Sequence, residues 1–447
     1  MYDYDVIYIG SGHSCWHGAK VLAEAGKKVA FVERDIAGGT CTNYGCNAKI
    51  LLDSPFGLVD GLERYKGLCV DDVPSIHWKP LMDYKKNTLK VYPPALEKMF
   101  AAMGADYFKA EGKLIDAHTV SAGDRNITAE YIVIGTGERA KRHDIPGKEY
   151  IHDSRDMLSI DEFPARIVLI GAGIISMEFA SMAVKMGAET TIIQYNDRVL
   201  SMYPKKYTAR ITEKLKKEGA RFCFNESVTR IDKTQDGYRV TLKSGAVVEA
   251  DYILEATGRQ ANADGLGLEG IGVEFSGKGI KVNEYLQSSV PNIYASGDVI
   301  DKRIPRLTPT ASFESIYIAE HILGKKDPIC YPAVPNLVFT LPRIAQVGVS
   351  IDEAEKNPDK YRIEVVPYGK GMLFDSSNEE DNEFTFIIDK EKHLVGAAFY
   401  GSEAAHLVNF ATLVINKQIT GGELDHMIFA FPAQTYGLYS MLANMLK

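Results

Sequence analysis

Unbroken apolar runs alternate along this chain with stretches of helical period. Val6–Ile9 is such a run, and Tyr4–Asp35 reads as strand, Gly10-x-Gly12 turn, helix and second strand. Ala165–Asp197 repeats the order around Gly171-x-Gly173. Both segments predict the βαβ unit that holds a dinucleotide. The first Gly permits the tight turn, the second lets backbone approach a pyrophosphate, and the helix N-terminus accepts its charge. The third small position carries Cys15 in one copy and Ser176 in the other. Two copies in full βαβ context predict two nucleotide sites.

About 20 residues past such a turn, the second strand should end near a ribose. Glu33 lies there in the first unit, and its carboxylate can accept from both ribose hydroxyls. Gln194 holds the matching position in the second: neither the acid that favours NAD nor an Arg for a 2′-phosphate. Arg198, four residues on, could accept a 2′-phosphate, but it reads first as a solvated surface residue.

Three further apolar strands run into Gly-containing turns. They are Tyr131–Ile134 before Gly135-Thr136-Gly137, Tyr252–Leu254 before Ala256-Thr257-Gly258-Arg259, and Asn292–Ala295 before Ser296-Gly297-Asp298. From about Cys330 the character changes. Pro328, Pro332 and Pro335 precede strand-like runs at Phe384–Ile388 and Leu394–Ala398, then helical patterns at Ala404–Asn416 and Tyr436–Leu446. This predicts a separate α+β domain.

Composition narrows the class. The 447 residues are 45% hydrophobic and 25% charged, as in ordinary globular proteins. With 51 basic against 59 acidic residues and no dense basic stretch, the chain does not read as a nucleic-acid binder. No apolar run approaches the roughly 18–20 residues of a membrane span, and the start has no secretory pattern. The expectation is a cytoplasmic protein without membrane or nucleic-acid partners.

Six cysteines are too few for a disulfide scaffold, but Cys41 and Cys46 sit close together. A helix beginning near Cys41 would project them from adjacent turns, able to close a disulfide, and its N-terminus would favour a thiolate. They also read as two ordinary buried thiols. No Cys or His partner stands at zinc spacing, so no metal is expected.

Gly38-Gly39-Thr40-Cys41-x4-Cys46, just after a βαβ unit ending in Glu33, resembles the flavoprotein disulfide reductases. These include glutathione reductase, dihydrolipoamide dehydrogenase and mercuric reductase. The likeness continues through Thr136-Gly137, Gly171-x-Gly173, Ala256-Thr257-Gly258-Arg259, Gly297-Asp298 and Phe339-Thr340-x-Pro342 with Val347-Gly348. It implies an α/β fold: two Rossmann-like dinucleotide-binding domains, for FAD and NAD(P), plus a C-terminal α+β dimerisation domain. The expected divisions are 1–145 and 251–327 for FAD, 146–250 for NAD(P) and 328–447 for dimerisation.

The resemblance also implies roles. Gly10, Gly12 and Glu33 would bind the ADP half of FAD, and Asp298 its ribityl chain. Gly39, Thr40, Thr136, Gly137, Gly258 and Arg259 would be further cofactor contacts. Cys46 would face the flavin and Cys41 would meet the substrate. Lys49 would lie by the flavin and pair with Glu178, though two such residues also read as a solvated surface pair. Gly171, Gly173 and Gln194 would bind NAD(P)H. Electrons would pass from NAD(P)H through FAD to Cys41–Cys46 and on to a small molecule, in a homodimer whose subunits share each active site.

One stretch departs from the family. Its C-terminal His-x-His-Pro-Thr-x-x-Glu is Phe429-Ala430-Phe431-Pro432-Ala433-Gln434-Thr435-Tyr436 here. The acid–base His is Phe431 and the Glu that orients it is Tyr436, with His426 nearby. An acid–base group of this kind contributes about 10²–10⁴-fold in rate. The expected substrate is therefore not ordinary glutathione or lipoamide. The alternatives are a flavin-level oxidase or quinone or metal reductase with a vestigial disulfide, and a redox sensor.

Overall fold

The computed structural model describes residues 1–370 and 376–447. Its first sheet is built around Tyr4–Ile9, whose alternate faces are both buried, as a strand between two helical layers must be. Asp106–Lys109, Val29–Glu33, Tyr4–Ile9 and the end of Arg125–Ile134 lie parallel in that order, with Ile293–Ala295 beyond. The start of Arg125–Ile134 instead pairs antiparallel with Thr119–Ala122. The helix His13–Glu24 packs under this sheet against Thr308–Ile322.

The second sheet repeats the topology. Arg221–Phe224, Glu189–Gln194, Arg166–Ile170 and Tyr252–Glu255 run parallel in that order. The expected boundary at residue 250 falls before the fourth strand, so the second unit reaches at least to Glu255. That strand adds to the far edge through a contact long in sequence, which local pattern does not reveal. The chain returns to the first unit through Arg259–Ala261, paired antiparallel with Glu138–Ala140.

The C-terminal region carries a five-stranded antiparallel sheet in the order Asn336–Val338, Ile344–Gly348, Leu394–Tyr400, Glu383–Asp389, Tyr361–Val366. Helices Ala404–Lys417 and Gln434–Met445 complete it.

The second and third regions both grip the helix Cys46–Glu63 of the first. Its Ala48, Leu52 and Phe56 share one apolar cluster with Leu169 and Phe179 of the second unit and Val338 and Ile344 of the third. Charges fasten it along its length. Asp53 pairs with Arg343, and Asp60 sits between Lys214 at 2.6 Å and Lys185 at 3.3 Å.

Candidate active site

The first Gly turn is a steric necessity. Gly10 has φ +110°, and a Cβ there would lie 2.6 Å from the carbonyl oxygen of Gly135. The turn borders a cavity of about 510 Å³. Gly10, Gly12 and Glu33 line it from one side, Gly39, Thr40 and Cys41 from another. Thr136, Gly137, Arg259 and Asp298 complete the circuit. A glycine-edged trough along a helix N-terminus fits the extended, diphosphate-centred FAD. The residues expected to hold the flavin nucleotide thus meet around one cavity, except Gly258, which is not among those lining it.

Two of them are engaged in ways the sequence did not reveal. The Glu33 carboxylate accepts from Ser11 N–H at 2.9 Å, Ser11 Oγ at 2.8 Å and Asp35 N–H at 2.9 Å. It therefore sets the shape of the Gly turn as well as facing the cavity. Arg259 is held by Glu138, Nε to Oε1 at 2.9 Å. Burial, then the nearby Asp298 charge, raises the Glu138 carboxyl above its ordinary range.

The cysteine pair does not sit on one helix. Gly39–Tyr44 carries Cys41, and a second helix, Cys46–Glu63, begins at Cys46. Gly45 breaks them apart with φ −140° and ψ −114°, and a Cβ there would lie 3.1 Å from the Thr40 carbonyl oxygen. Cys46 thus occupies the first turn of its helix, where the dipole favours a thiolate. The two thiols hydrogen-bond each other, and Cys46 Sγ is 3.5 Å from Thr308 Oγ1. The Cys41 hydrogen bond, opposed by burial and aided by Thr308 and the Lys49 charge, pulls Cys46 down to about 6. The same hydrogen bond, with burial, pushes Cys41 well above the ordinary thiol range.

Lys49 Nζ lies 2.9 Å from Glu178 Oε1 and 4.3 Å above the Phe339 ring. Glu178 is buried and also accepts from Phe339 N–H at 3.0 Å. This is an interior pair, not a solvated one. Thr308 was missed from sequence. The signal was present: Leu307-Thr308-Pro309 places Pro in the first turn of a helix aimed at the cysteines.

Around the second turn, Gly171 has φ +92° and its Cβ would meet the Ala256 carbonyl at 2.8 Å. Gly173 begins the helix Ile174–Lys185. Gln194 is buried and spoken for: Oε1 accepts from Ala172 N–H at 3.0 Å, and Nε2 donates to Asn196 Oδ1 at 2.7 Å and the Arg198 carbonyl at 3.2 Å. Arg198 is not a solvated surface residue. It is half-buried, donates to the Tyr203 carbonyl and lies 3.6 Å from Asp352.

Phe431 and Tyr436 meet edge to face with ring centroids 5.0 Å apart, and Phe431 is 62% exposed. Neither lines the cavity beside Cys41 of its own chain. His426 is exposed just past the helix Gly421–Asp425.

Residues 4–315 match the family described as pyridine nucleotide-disulphide oxidoreductase, and residues 334–438 match its dimerisation domain. The chain is similar to dihydrolipoyl dehydrogenase of Chlamydia pneumoniae, 31% identical over 96% of this chain and 94% of that one. It is 29% identical to glutathione reductase of Nostoc sp., covering 98% and 99%. It is equally similar to mercuric reductase of Staphylococcus aureus, covering 98% and 81%. The chain belongs to the pyridine nucleotide-disulphide oxidoreductase family. It is accordingly an oxidoreductase that uses FAD and NAD(P)H. Among the described residues, no helix is long and apolar enough to cross a membrane.

Proposed function

We propose that Cys41 and Cys46 are the working redox pair, and that their acceptor is a small molecule other than glutathione disulfide or lipoamide. When bound, FAD takes an electron pair from NAD(P)H and passes it on. The observation that carries the reading is the placement of the two cysteines, Cys41 on the cavity wall and Cys46 in the first turn of the next helix, 3.5 Å from Thr308 Oγ1. The Cys41 thiol, Thr308 and the Lys49 charge lower the Cys46 thiol, while the Cys46 contact and burial raise Cys41. The family resemblance makes Cys46 the flavin-side sulfur and Cys41, which lines the cavity, the one that meets substrate. Glu178 holds Lys49 beside them. Giving up two electrons closes the Cys41–Cys46 disulfide. Gly10, Gly12, Glu33, Gly39, Thr40, Thr136, Gly137, Arg259 and Asp298 hold FAD; Gly171, Gly173, Gln194 and Gly258 serve the nicotinamide nucleotide. The chain works as a homodimer, each subunit offering Phe431 and Tyr436 to its partner's site. The proposed domain division is 1–145 and 256–327 for FAD, 146–255 for NAD(P) and 328–447 for dimerisation.

An apolar ring at position 431 cannot shuttle a proton to a leaving thiolate. An acceptor needing no general acid, such as a quinone, a metal ion or a good thiolate leaving group, suits it. The test is steady-state turnover of the purified enzyme. The wild type should reduce glutathione disulfide and lipoamide poorly. Phe431→His with Tyr436→Glu should raise those rates by about one to three orders of magnitude. Phe431→His alone should do less, since nothing orients the ring. A wild type as fast as the Nostoc glutathione reductase would sink the substrate reading. The redox pair has its own check. Two-electron-reduced holoenzyme should show a long-wavelength absorption band at pH 8, absent in Cys46→Ser. The band should fade as pH falls through about 6, as Cys46 takes up its proton. Reduction at pH 8 that only bleaches the flavin would remove the cysteines from the electron path.

A further inference from the structure

The second sheet has a topological switch point. Three strands step one way, from Arg166–Ile170 to Glu189–Gln194 to Arg221–Phe224, and Tyr252–Glu255 then adds on the opposite side of the first. In open α/β sheets the ligand crevice opens at the carboxyl ends of the two strands flanking that reversal. Here those ends are Ile170 and Glu255, which face each other in register. The matching pair in the first sheet is Ile9 and Ile134. An apolar residue at the end of the fourth strand is thus replaced by a carboxylate in the second unit alone.

Glu255 is 2% exposed, and a buried carboxylate is costly unless well bonded. Its partners account for it. Oε2 accepts from the His143 backbone N–H at 3.2 Å, and Oε1 accepts from Thr257 Oγ1 at 2.8 Å and from His143 Nδ1–H. The segment bearing His143 is led across the turn by Lys141 N–H, which donates to the Gly258 carbonyl at 3.1 Å. With Nδ1 fixed as a donor to the carboxylate, the ring is held in one orientation. Nε2 has no protein partner among the described residues, and the His143 side chain is half exposed. Thr257, which shares the carboxylate, abuts the Gly171 turn: a Cβ on Gly171 would lie 3.3 Å from Thr257 Cα.

We propose that His143, protonated on both ring nitrogens when it binds, is a ligand of the nicotinamide dinucleotide, its Nε2–H donating to a phosphate oxygen, and that Glu255 is the positioning residue that aims it. The proposal rests on reading the Gly171-x-Gly173 turn as the nucleotide site. It explains why a buried carboxylate occupies a strand end that the sister sheet fills with isoleucine. It also gives the second crevice a cationic-capable group that Gln194 and Arg198, both committed elsewhere, do not provide.

The test is calorimetric titration of oxidised, FAD-loaded enzyme with NAD⁺ and with NADP⁺, alongside NADH kinetics. His143→Ala should weaken both dinucleotides by about tenfold to a hundredfold, the range of one charge-assisted hydrogen bond. The loss should appear in KM, with kcat at saturating NADH changed by less than about twofold. FAD content and the absorption of the reduced enzyme should not move. Glu255→Leu should weaken binding as His143→Ala does, whereas Glu255→Gln, which keeps an acceptor for Nδ1, should weaken it less. If Glu255→Leu does not fold, His143→Ala and Glu255→Gln still decide. Wild-type affinity in His143→Ala overturns the proposal. Gly171→Ala separates the two levels. If it loses NAD⁺ while His143→Ala keeps it, only the role of His143 falls. If Gly171→Ala also binds normally, the nucleotide site lies elsewhere and the underlying reading falls with it.

Discussion

The two Gly turns use the same side-chain brace, charged in one and neutral in the other. Each second strand ends in a residue that reaches back to the middle N–H of its turn: Glu33 to Ser11, Gln194 to Ala172. In each, the first Gly presses on the backbone that follows the fourth strand, Gly10 on Gly135 and Gly171 on Ala256. Glu33 only accepts, and it brings a full negative charge to the edge of the cavity. Gln194 accepts once and donates twice, leaving its amide closed on its own loop. The position usually read as a ribose sensor is therefore first a brace for the turn. What the nucleotide can feel there is whatever bonding capacity the brace leaves over.

The largest contrast should come from breaking the turns themselves. Gly10→Ala places a Cβ against a carbonyl at positive φ, a strain of about 1–3 kcal/mol before the clash is counted. It should yield protein largely free of FAD by absorbance. Gly171→Ala should keep its FAD and lose NADH binding. If both variants lose the same ligand, the two turns are not separate sites.

A smaller effect should follow from exchanging the braces. Glu33→Gln removes charge-assisted bonds from Ser11 and Asp35, each about 1.5–3 kcal/mol, and should weaken FAD retention in a dilution assay. Gln194→Glu keeps the bond from Ala172 but sets a carboxylate against Asn196 Oδ1 and the Arg198 carbonyl. It should disfavour NADPH relative to NADH by about tenfold, because a carboxylate repels a 2′-phosphate. An unchanged ratio of kcat/KM values would mean that position 194 does not face the ribose.

The smallest expected change is at Arg198. Its guanidinium is taken by Tyr203 and Asp352, so Arg198→Ala should shift the NADPH/NADH preference by less than about threefold. A several-hundredfold loss of NADPH use would show the arginine leaving those partners for the nucleotide.

The sequence made both turns legible because their signal is local: an apolar run, two glycines, a helix. The cysteine spacing and Lys49 with Glu178 were equally clear once the resemblance was drawn. Other features depended on where distant segments meet. Nothing near Arg198 in sequence announces Asp352, and nothing near His143 announces Glu255. The expectation of one helix through both cysteines failed at Gly45, whose φ −140° and ψ −114° end the first helix and where a Cβ would crowd the Thr40 carbonyl at 3.1 Å. That Tyr252–Glu255 joins the second sheet was not legible because a strand's sheet is chosen by its partner, here Arg166–Ile170, not by its own composition.

The helix Cys46–Glu63 has a mechanical consequence. Because the second and third regions both close their shared apolar cluster around it, and the cofactor cavity begins at its approach, no region can come loose without releasing the helix. The molecule should therefore melt as one calorimetric unit and not as three. Amides along that helix should be among the last to exchange their hydrogens, since their protection is borrowed from the second and third regions at once.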